Sequence, residues 1–519
     1  MAIDTLTLVV VTAIYLALVI ILGYYGYRKT REHEDYLVAG RKIHPAVLAL
    51  SYGATFISTS AIIGFGGFAA YLGMGLIWLT VLNVGIGILL AFVVFGKKTR
   101  QIGHRLGAVT FPDLMGKQYG SRFMQSASSA IIIIGMPLYT AAILIGGARF
   151  IETTLSIPYD TALIGFAVIV AAYVILGGLI AVMYTDALQG SIMLVGMTIL
   201  LVLTYIHLGG VEAAHSALSA LSAQVPASLA SGGHTGWASM PVLGSPIWLT
   251  LITSIVLGVG IGVLAQPQLI VRFMTVSDSR AIHRAVAVGG PFILMMTGVA
   301  FTVGALTNVY FMKTQGQLAL AAAGGNIDSI IPAYINASMP DLFIIIFMLA
   351  LLAAAMSTLS SLFHTMGTSV GYDLWSVVRN EKGSLKITQL GTVVMIVVSV
   401  IVAYSLPGSI IARATVMFMG LCASAFLPAY THGLYSTRPS TRAAVASLGV
   451  GTIAWFLWTA FVHMAESKPL GISALLFGQD AVLSMPWQVV DPLIVALPLS
   501  VLALVAVLII DRSAEAVRA

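Results

Sequence analysis

Thirteen long apolar stretches constrain this chain more than any other feature. They lie near 6–27, 45–72, 75–96, 126–153, 160–180, 185–208, 246–271, 285–312, 341–366, 385–405, 409–432, 441–464 and 488–510. Each is long enough to cross a hydrocarbon layer, which takes about 20 residues as a helix. No water reaches the backbone there, so every N–H and C=O must be satisfied within the protein, and a helix does this inside one segment. The alternating pattern of a membrane barrel strand is absent. The expected fold is therefore all-α integral membrane, with about thirteen transmembrane helices. Only 8% of the 519 residues are charged, against about 25% in a soluble protein, so lipid must be part of the solvent. The first stretch follows a single charge, Asp4, with no basic region and no small-residue cleavage site, and reads as a span rather than a signal peptide.

An odd number of spans places the termini on opposite sides, and basic residues should collect in alternate, cytoplasmic loops. One set of loops holds Arg28, Lys29, Arg31, Arg41, Lys42, Lys97, Lys98, Arg100, Arg105, Lys117, Arg122, Arg272, Arg280, Arg284, Arg379, Lys382, Lys386, Arg438, Arg442, Arg512 and Arg518. Arg149, Lys313, Arg413 and Lys468 fall on the other side. This pattern predicts a multi-pass cell-membrane protein with its N-terminus outside and its C-terminus in the cytoplasm. It also accounts for the formal charge of +6 without a nucleic-acid partner. The stretch 209–245 has no Lys or Arg and reads as an external loop, and the nine residues after Ile510 leave no room for a tethered catalytic or signalling domain. Cys422 is alone, which excludes an intrachain disulfide.

Two spans look interrupted. The second carries Ser51, Thr55, Ser58, Thr59 and Ser60, then Gly64, Gly66 and Gly67; the seventh carries Gly258, Gly260 and Gly262, then Gln266-Pro267. Five spans separate them. Broken helices at matching places in two five-helix halves point to an inverted-repeat (5+5) transporter core, with unpaired carbonyls at the breaks free to face a cation. The alternative is that the glycines only allow close packing and Pro267 only kinks its helix. In the ninth span, Ser357, Ser360 and Ser361 share one helix face and Thr358 lies four residues after Ala354. Neutral oxygens of this kind suit a hard alkali cation. Back-bonding to the preceding turn is the competing use for such hydroxyls.

Three segments carry a resemblance to a known family: Asp35 to Arg41, Gly177 to Asp186 with Gln189, and Ala354 to Ser361. They are similar to motifs of the sodium:solute symporter family, and the likeness covers nearly the whole chain. It implies a ten-helix core with an extra N-terminal helix and cytoplasmic loop (1–44), two repeats (45–210 and 246–435) around an external loop (211–245), and two C-terminal helices with a short tail (436–519). It implies a sodium site built from the carbonyls of Ala54, Ile57 and Ala354 with the hydroxyls of Ser357 and Thr358. A possible second sodium would lie among Asp186, Ser357, Ser360 and Ser361. Asp186 reads alternatively as a helix N-cap. One sodium charge crossing about 100 mV with a tenfold gradient supplies roughly 3.7 kcal/mol, enough for about 500-fold accumulation of a neutral solute.

The solute site should lie beside the breaks. Thr55, Phe56, Ser58, Thr59, Ser60, Tyr139, Val259, Val263 and Gln266 are its candidate liners, with Tyr139 alternatively a packing aromatic. Leu138 to Thr140 and Gln266 to Met274 look like the family's proline branch. Gly146 to Thr153 and Ile157 to Tyr159 look like its pantothenate and monocarboxylate branches. Phe56, Val259 and Val263 depart from the proline pattern. The expected function is sodium-coupled symport of a small organic carboxylate by alternating access, in the lipid bilayer and as a monomer. Proline or another amino acid is the alternative solute. A channel or a non-transporting sensor is the alternative class; no enzyme constellation is present. His364 and the pair Arg149–Glu152 read as structural, and Asp373 as marking the cytoplasmic end of its helix.

Overall fold

The computed structural model describes residues 5–518, apart from 156, 382 and 407–410. Asp4, Lys382 and the side chains of Thr153 and Arg518 therefore lie outside the described residues. Every element among the described residues is helical. The long helices are α1 (Thr5–Lys29), α2 (Pro45–Phe56), α3 (Ser60–Leu72), α4 (Met74–Leu106), α5 (Arg122–Leu155), α6 (Tyr159–Leu208) and α7 (Pro246–Ala265). They continue with α8 (Ser279–Gln315), α9 (Asp341–Arg379), α10 (Leu385–Ser405), α11 (Ile411–Tyr435), α12 (Thr441–Phe461) and α13 (Pro492–Arg518).

Eleven of these are individually long and apolar enough to cross a membrane, and α2 with α3 forms a bent pair, 54° apart. An unbroken helix of the 50 residues of α6 would run about 75 Å at 1.5 Å per residue, more than twice a hydrocarbon core. α6 is divided at Gly178, whose φ of 55° and ψ of −153° are not helical. Among the described residues there are eleven candidate spans, or up to twelve with the bent pair counted as one, against about thirteen expected stretches.

The division of α6 differs from the expected boundary. The stretches read from sequence leave a short connection over about 181–184; the helix instead breaks at the single residue Gly178 and resumes at once. A side chain there would put Cβ 2.5 Å from the Tyr36 ring and 2.8 Å from the Tyr36 carbonyl oxygen. The positive φ and this approach both require glycine. Asp186 consequently sits inside a helix and is no N-cap.

Packing sorts the helices. α1, α10 and α13 expose large apolar side chains such as Val9, Ile20, Ile21, Leu390, Val397, Leu502 and Ile509, as lipid-facing helices do. In α9 every residue from Phe347 to Thr368 is buried, so it is the central post. The 209–245 loop folds back on the bundle: buried Trp237 accepts a hydrogen bond from the Met74 amide (2.7 Å) through its carbonyl.

Candidate cation and solute sites

α2 stops at Phe56 because Ile57 leaves helical geometry (φ −88°, ψ 90°). Ser58 then starts the next helix: its hydroxyl accepts from the Ser60 amide (3.1 Å) and its carbonyl from the Ala61 amide (3.0 Å). Carbonyls that would have bonded to residues 58 and 59 are thereby released. They are met by α9. Ser357 donates to the Ala54 carbonyl (2.9 Å) and the Ala354 carbonyl (3.1 Å). Thr358 donates to the Thr55 carbonyl (3.1 Å) and the Ala354 carbonyl (3.1 Å). Four of the five oxygens expected around sodium thus form one cluster, with the Thr55 carbonyl added. The fifth, Ile57, lies in the break itself. All these residues are buried. Back-bonding and cross-helix contact are not alternatives here, since both hydroxyls do both.

The matching break in α7 has a different local cause. After a tight turn at Val263–Ala265, Gln266 is extended (φ −75°, ψ 114°), as the residue before proline must be. Pro267 opens the next short helix, where a missing N–H costs nothing. Gln266 donates to the Gly262 carbonyl (3.2 Å) and accepts from Gln268 (3.1 Å), so its amide is engaged within the break.

A second polar cluster surrounds Asp186. Oδ2 accepts from Ser51 (2.9 Å) and Thr55 (3.1 Å), and Oδ1 from Ser360 (3.2 Å). The cation beside it is Arg272. Its Nη2 lies 2.7 Å from Asp186 Oδ2, 2.6 Å from Thr55 Oγ1 and 2.5 Å from Ser361 Oγ; its Nε donates to Ser51 (3.0 Å) and its Nη1 to the Gln268 carbonyl. Both charged side chains have zero exposure. This corrects the grouping of Arg272 with the basic cytoplasmic loops. It lies in the buried turn Val271–Thr275 that follows the α7 break. A charge near the end of an apolar stretch resembles a loop residue, and the acid that draws it inward is 86 positions away.

The candidate solute liners divide. Phe56, Ser58 and Val259 line a central cavity of about 10 Å³ with Asn83, Thr297, Phe301, Thr415 and Met419. That volume holds about one water, so the centre is closed. Tyr139 stacks on Phe418, 5.8 Å between ring centroids. Thr55 is turned to Asp186 and Arg272, and Ser60 donates to the Ile411 carbonyl (3.3 Å) and accepts from Thr415 (2.7 Å). Val263 and Gln266 are buried off the cavity, and the Thr59 hydroxyl has no partner. Asn83, Thr297 and Thr415 were not identified from sequence, because isolated polar residues in apolar spans carry no pattern. The Asn83 Oδ1 is also unpartnered.

Toward the face of the 209–245 loop, the centre gives way to a vestibule of about 620 Å³ lined by Phe65, Phe68, Tyr71, Arg413, His463 and Asp491 among others. Burial, and then His463 acting against it, leave the Asp491 carboxyl pushed up to about 7. The other residues read as structural behave so. His364 contacts the Tyr36 carbonyl (2.9 Å), and Arg149 pairs with Glu152 (2.7 Å). Asp373 is buried near the end of α9 and accepts from Thr110 (2.7 Å).

The profile of the sodium:solute symporter family matches residues 36–451. The chain belongs to the sodium:solute symporter family. It is 28% identical over 481 residues to a sodium/pantothenate symporter of Haemophilus influenzae, covering 90% of this chain and 94% of that protein. It is 25% identical to an osmoregulated proline transporter of Bacillus subtilis (91% and 92% covered) and 27% identical to a sodium/proline symporter of Staphylococcus aureus (90% and 88%). Its fold is similar to that of a Na+-coupled sialic acid symporter in a substrate-bound outward-open state, with a TM-score of 0.71 at 16% identity over 94% of this chain and 96% of that one. This symporter-family member is a multi-pass membrane transport protein, and the proteins it resembles are transporters rather than enzymes.

Proposed function

We propose that this family member couples entry of a small organic carboxylate to sodium by alternating access. The observation that carries the reading is the meeting of released α2 carbonyls with the α9 hydroxyls of Ser357 and Thr358 at 2.9–3.1 Å. Sodium would replace these hydrogen bonds with coordination by the oxygens of Ala54, Ile57, Ala354, Ser357 and Thr358. Binding there joins the bent helix to the central post, which gives the ion leverage over the solute pocket next to it.

The carboxylate class has two supports. Pantothenate, proline and sialic acid, the solutes in the relatives' names, all carry a carboxylate. Arg413 also lines the vestibule, where a positive charge raises the local concentration of anions. The vestibule would face outward and the basic loops inward, with the N-terminus outside and the chain working as a monomer in two inverted five-helix repeats. The closed 10 Å³ centre favours alternating access over a channel. The test is uptake into proteoliposomes from a panel of labelled carboxylates and amino acids, in sodium or potassium. Uptake of one carboxylate only in sodium is expected; equal uptake in both buffers refutes the coupling.

A further inference from the structure

We propose that Arg272 is a built-in cation that fills the Asp186 site, so that Arg272 and a second sodium exclude one another and the native protein binds one sodium. The inference rests on the sodium-coupled reading above and specifies how many ions it involves.

The argument begins with geometry. Three oxygens from three helices, Thr55 on α2, Asp186 on α6 and Ser361 on α9, lie 2.5–2.7 Å from the single atom Nη2 of Arg272. Hard cations take oxygens at about this separation, about 2.3–2.6 Å for calcium. The guanidinium therefore holds the central position in the oxygen cluster. Any other cation reaching Asp186 must displace it or share its one carboxylate.

Charge leads to the same conclusion. Asp186 and Arg272 have zero exposure and neutralise each other. Among the described residues no further acid contributes to the cluster: its other members are the hydroxyls of Ser51, Thr55, Ser360 and Ser361 and the Gln268 carbonyl. A second sodium beside a docked Arg272 would leave a net positive charge buried among neutral groups, which a water-free interior strongly disfavours. Among the described residues no cationic side chain bonds to the cluster around Ala54, Ala354, Ser357 and Thr358, which remains open to an ion.

The placement also gives Arg272 mechanical reach. It belongs to the segment after the α7 break, while Asp186 and Ser361 belong to α6 and the central post. The docked guanidinium pins the broken helix to its scaffold, so releasing it frees that segment.

The test is the number of 22Na+ ions bound per chain by the purified full-length protein at equilibrium. The expected count is one for the wild type, one for Arg272→Lys, which keeps a tethered charge, and two for Arg272→Gln. Arg272→Gln/Asp186→Asn should return to one. Asp186→Asn alone should leave the wild-type count at one. Two ions in the wild type, falling to one in Asp186→Asn, would overturn the proposal even if Arg272→Gln does not fold. One ion in a folded Arg272→Gln would overturn it too. No saturable sodium in the wild type would be a different failure: it refutes the sodium-coupled reading itself.

Discussion

Removing both partners of the Asp186–Arg272 pair should cost less than the sum of removing each alone. Arg272→Gln leaves a buried carboxylate without its cation, and Asp186→Asn leaves a buried guanidinium without its anion. Each partner has zero exposure, so neither orphan can turn to water. Breaking such a pair typically costs about 3–5 kcal/mol. With an unfolding entropy of roughly 2.1 cal/mol/K per residue, a chain of this length loses about 1 °C of melting temperature for each kcal/mol. Each single variant should therefore melt about 3–5 °C below the wild type. The double variant leaves two amides that can bond to each other and to Ser51, Thr55 and Ser361. Its loss should fall short of the sum of the single losses by about 2–3 kcal/mol, the coupling expected of residues in one network. The assay is thermal unfolding of the four purified proteins in potassium buffer, which keeps sodium from entering the vacated site of Arg272→Gln. Additive losses, or single variants that melt with the wild type, would refute the paired geometry.

Other consequences follow from particular residues. Gly178→Ala should lower the melting temperature and the yield of folded protein, because Cβ would lie 2.5 Å from the Tyr36 ring at a φ of 55°; an unchanged melting curve would contradict the one-residue break. Asn83→Ala should raise the solute concentration for half-maximal uptake about fivefold to tenfold, the worth of one hydrogen bond, with sodium dependence unmoved; a shift in sodium dependence alone would place Asn83 elsewhere. Asp491 is held near about 7 by burial, partly offset by His463, with Glu466 and Arg413 nearby. A carboxyl raised in the folded state stabilises below its ordinary pKa and loses that contribution as pH rises through 7. Asp491→Asn, whose side-chain oxygen can still accept from the Leu493 amide as Asp491 Oδ1 does (2.9 Å), should flatten the fall in melting temperature between pH 5 and 8, and an unchanged slope would reject this assignment.

The membrane spans could be read from sequence because hydrocarbon leaves the backbone one choice, and that choice needs about 20 apolar residues wherever it is made. The break after Phe56 was legible for a related reason: hydroxyls crowded into an apolar stretch signal carbonyls in need of partners. The sequence could not show contacts made at a distance. Gly178 looks like any glycine in a span until Tyr36 is placed against it. Arg272 reads as a loop charge until Asp186 is placed beside it. Thr55 and Ser60 were grouped with the solute liners by position along α2 and α3, but helix rotation turns Thr55 to the ion pair and Ser60 to α11. Asn83, Thr297 and Thr415 come from three different helices, and only the fold brings them to one cavity.

The account depends on an alkali ion held between the α2 break and α9, and Thr358 supplies a hydroxyl to that place without touching Asp186 or Arg272 in any hydrogen bond described above. The direct measurement is the sodium dependence of solute uptake by Thr358→Ala and wild type in proteoliposomes at equal protein and fixed solute. Loss of one oxygen from a bound cation is worth about 1.5–3 kcal/mol, so half-maximal uptake in the variant should need about 10- to 150-fold more sodium. The same sodium requirement in both proteins, with comparable maximal rates, would contradict the account.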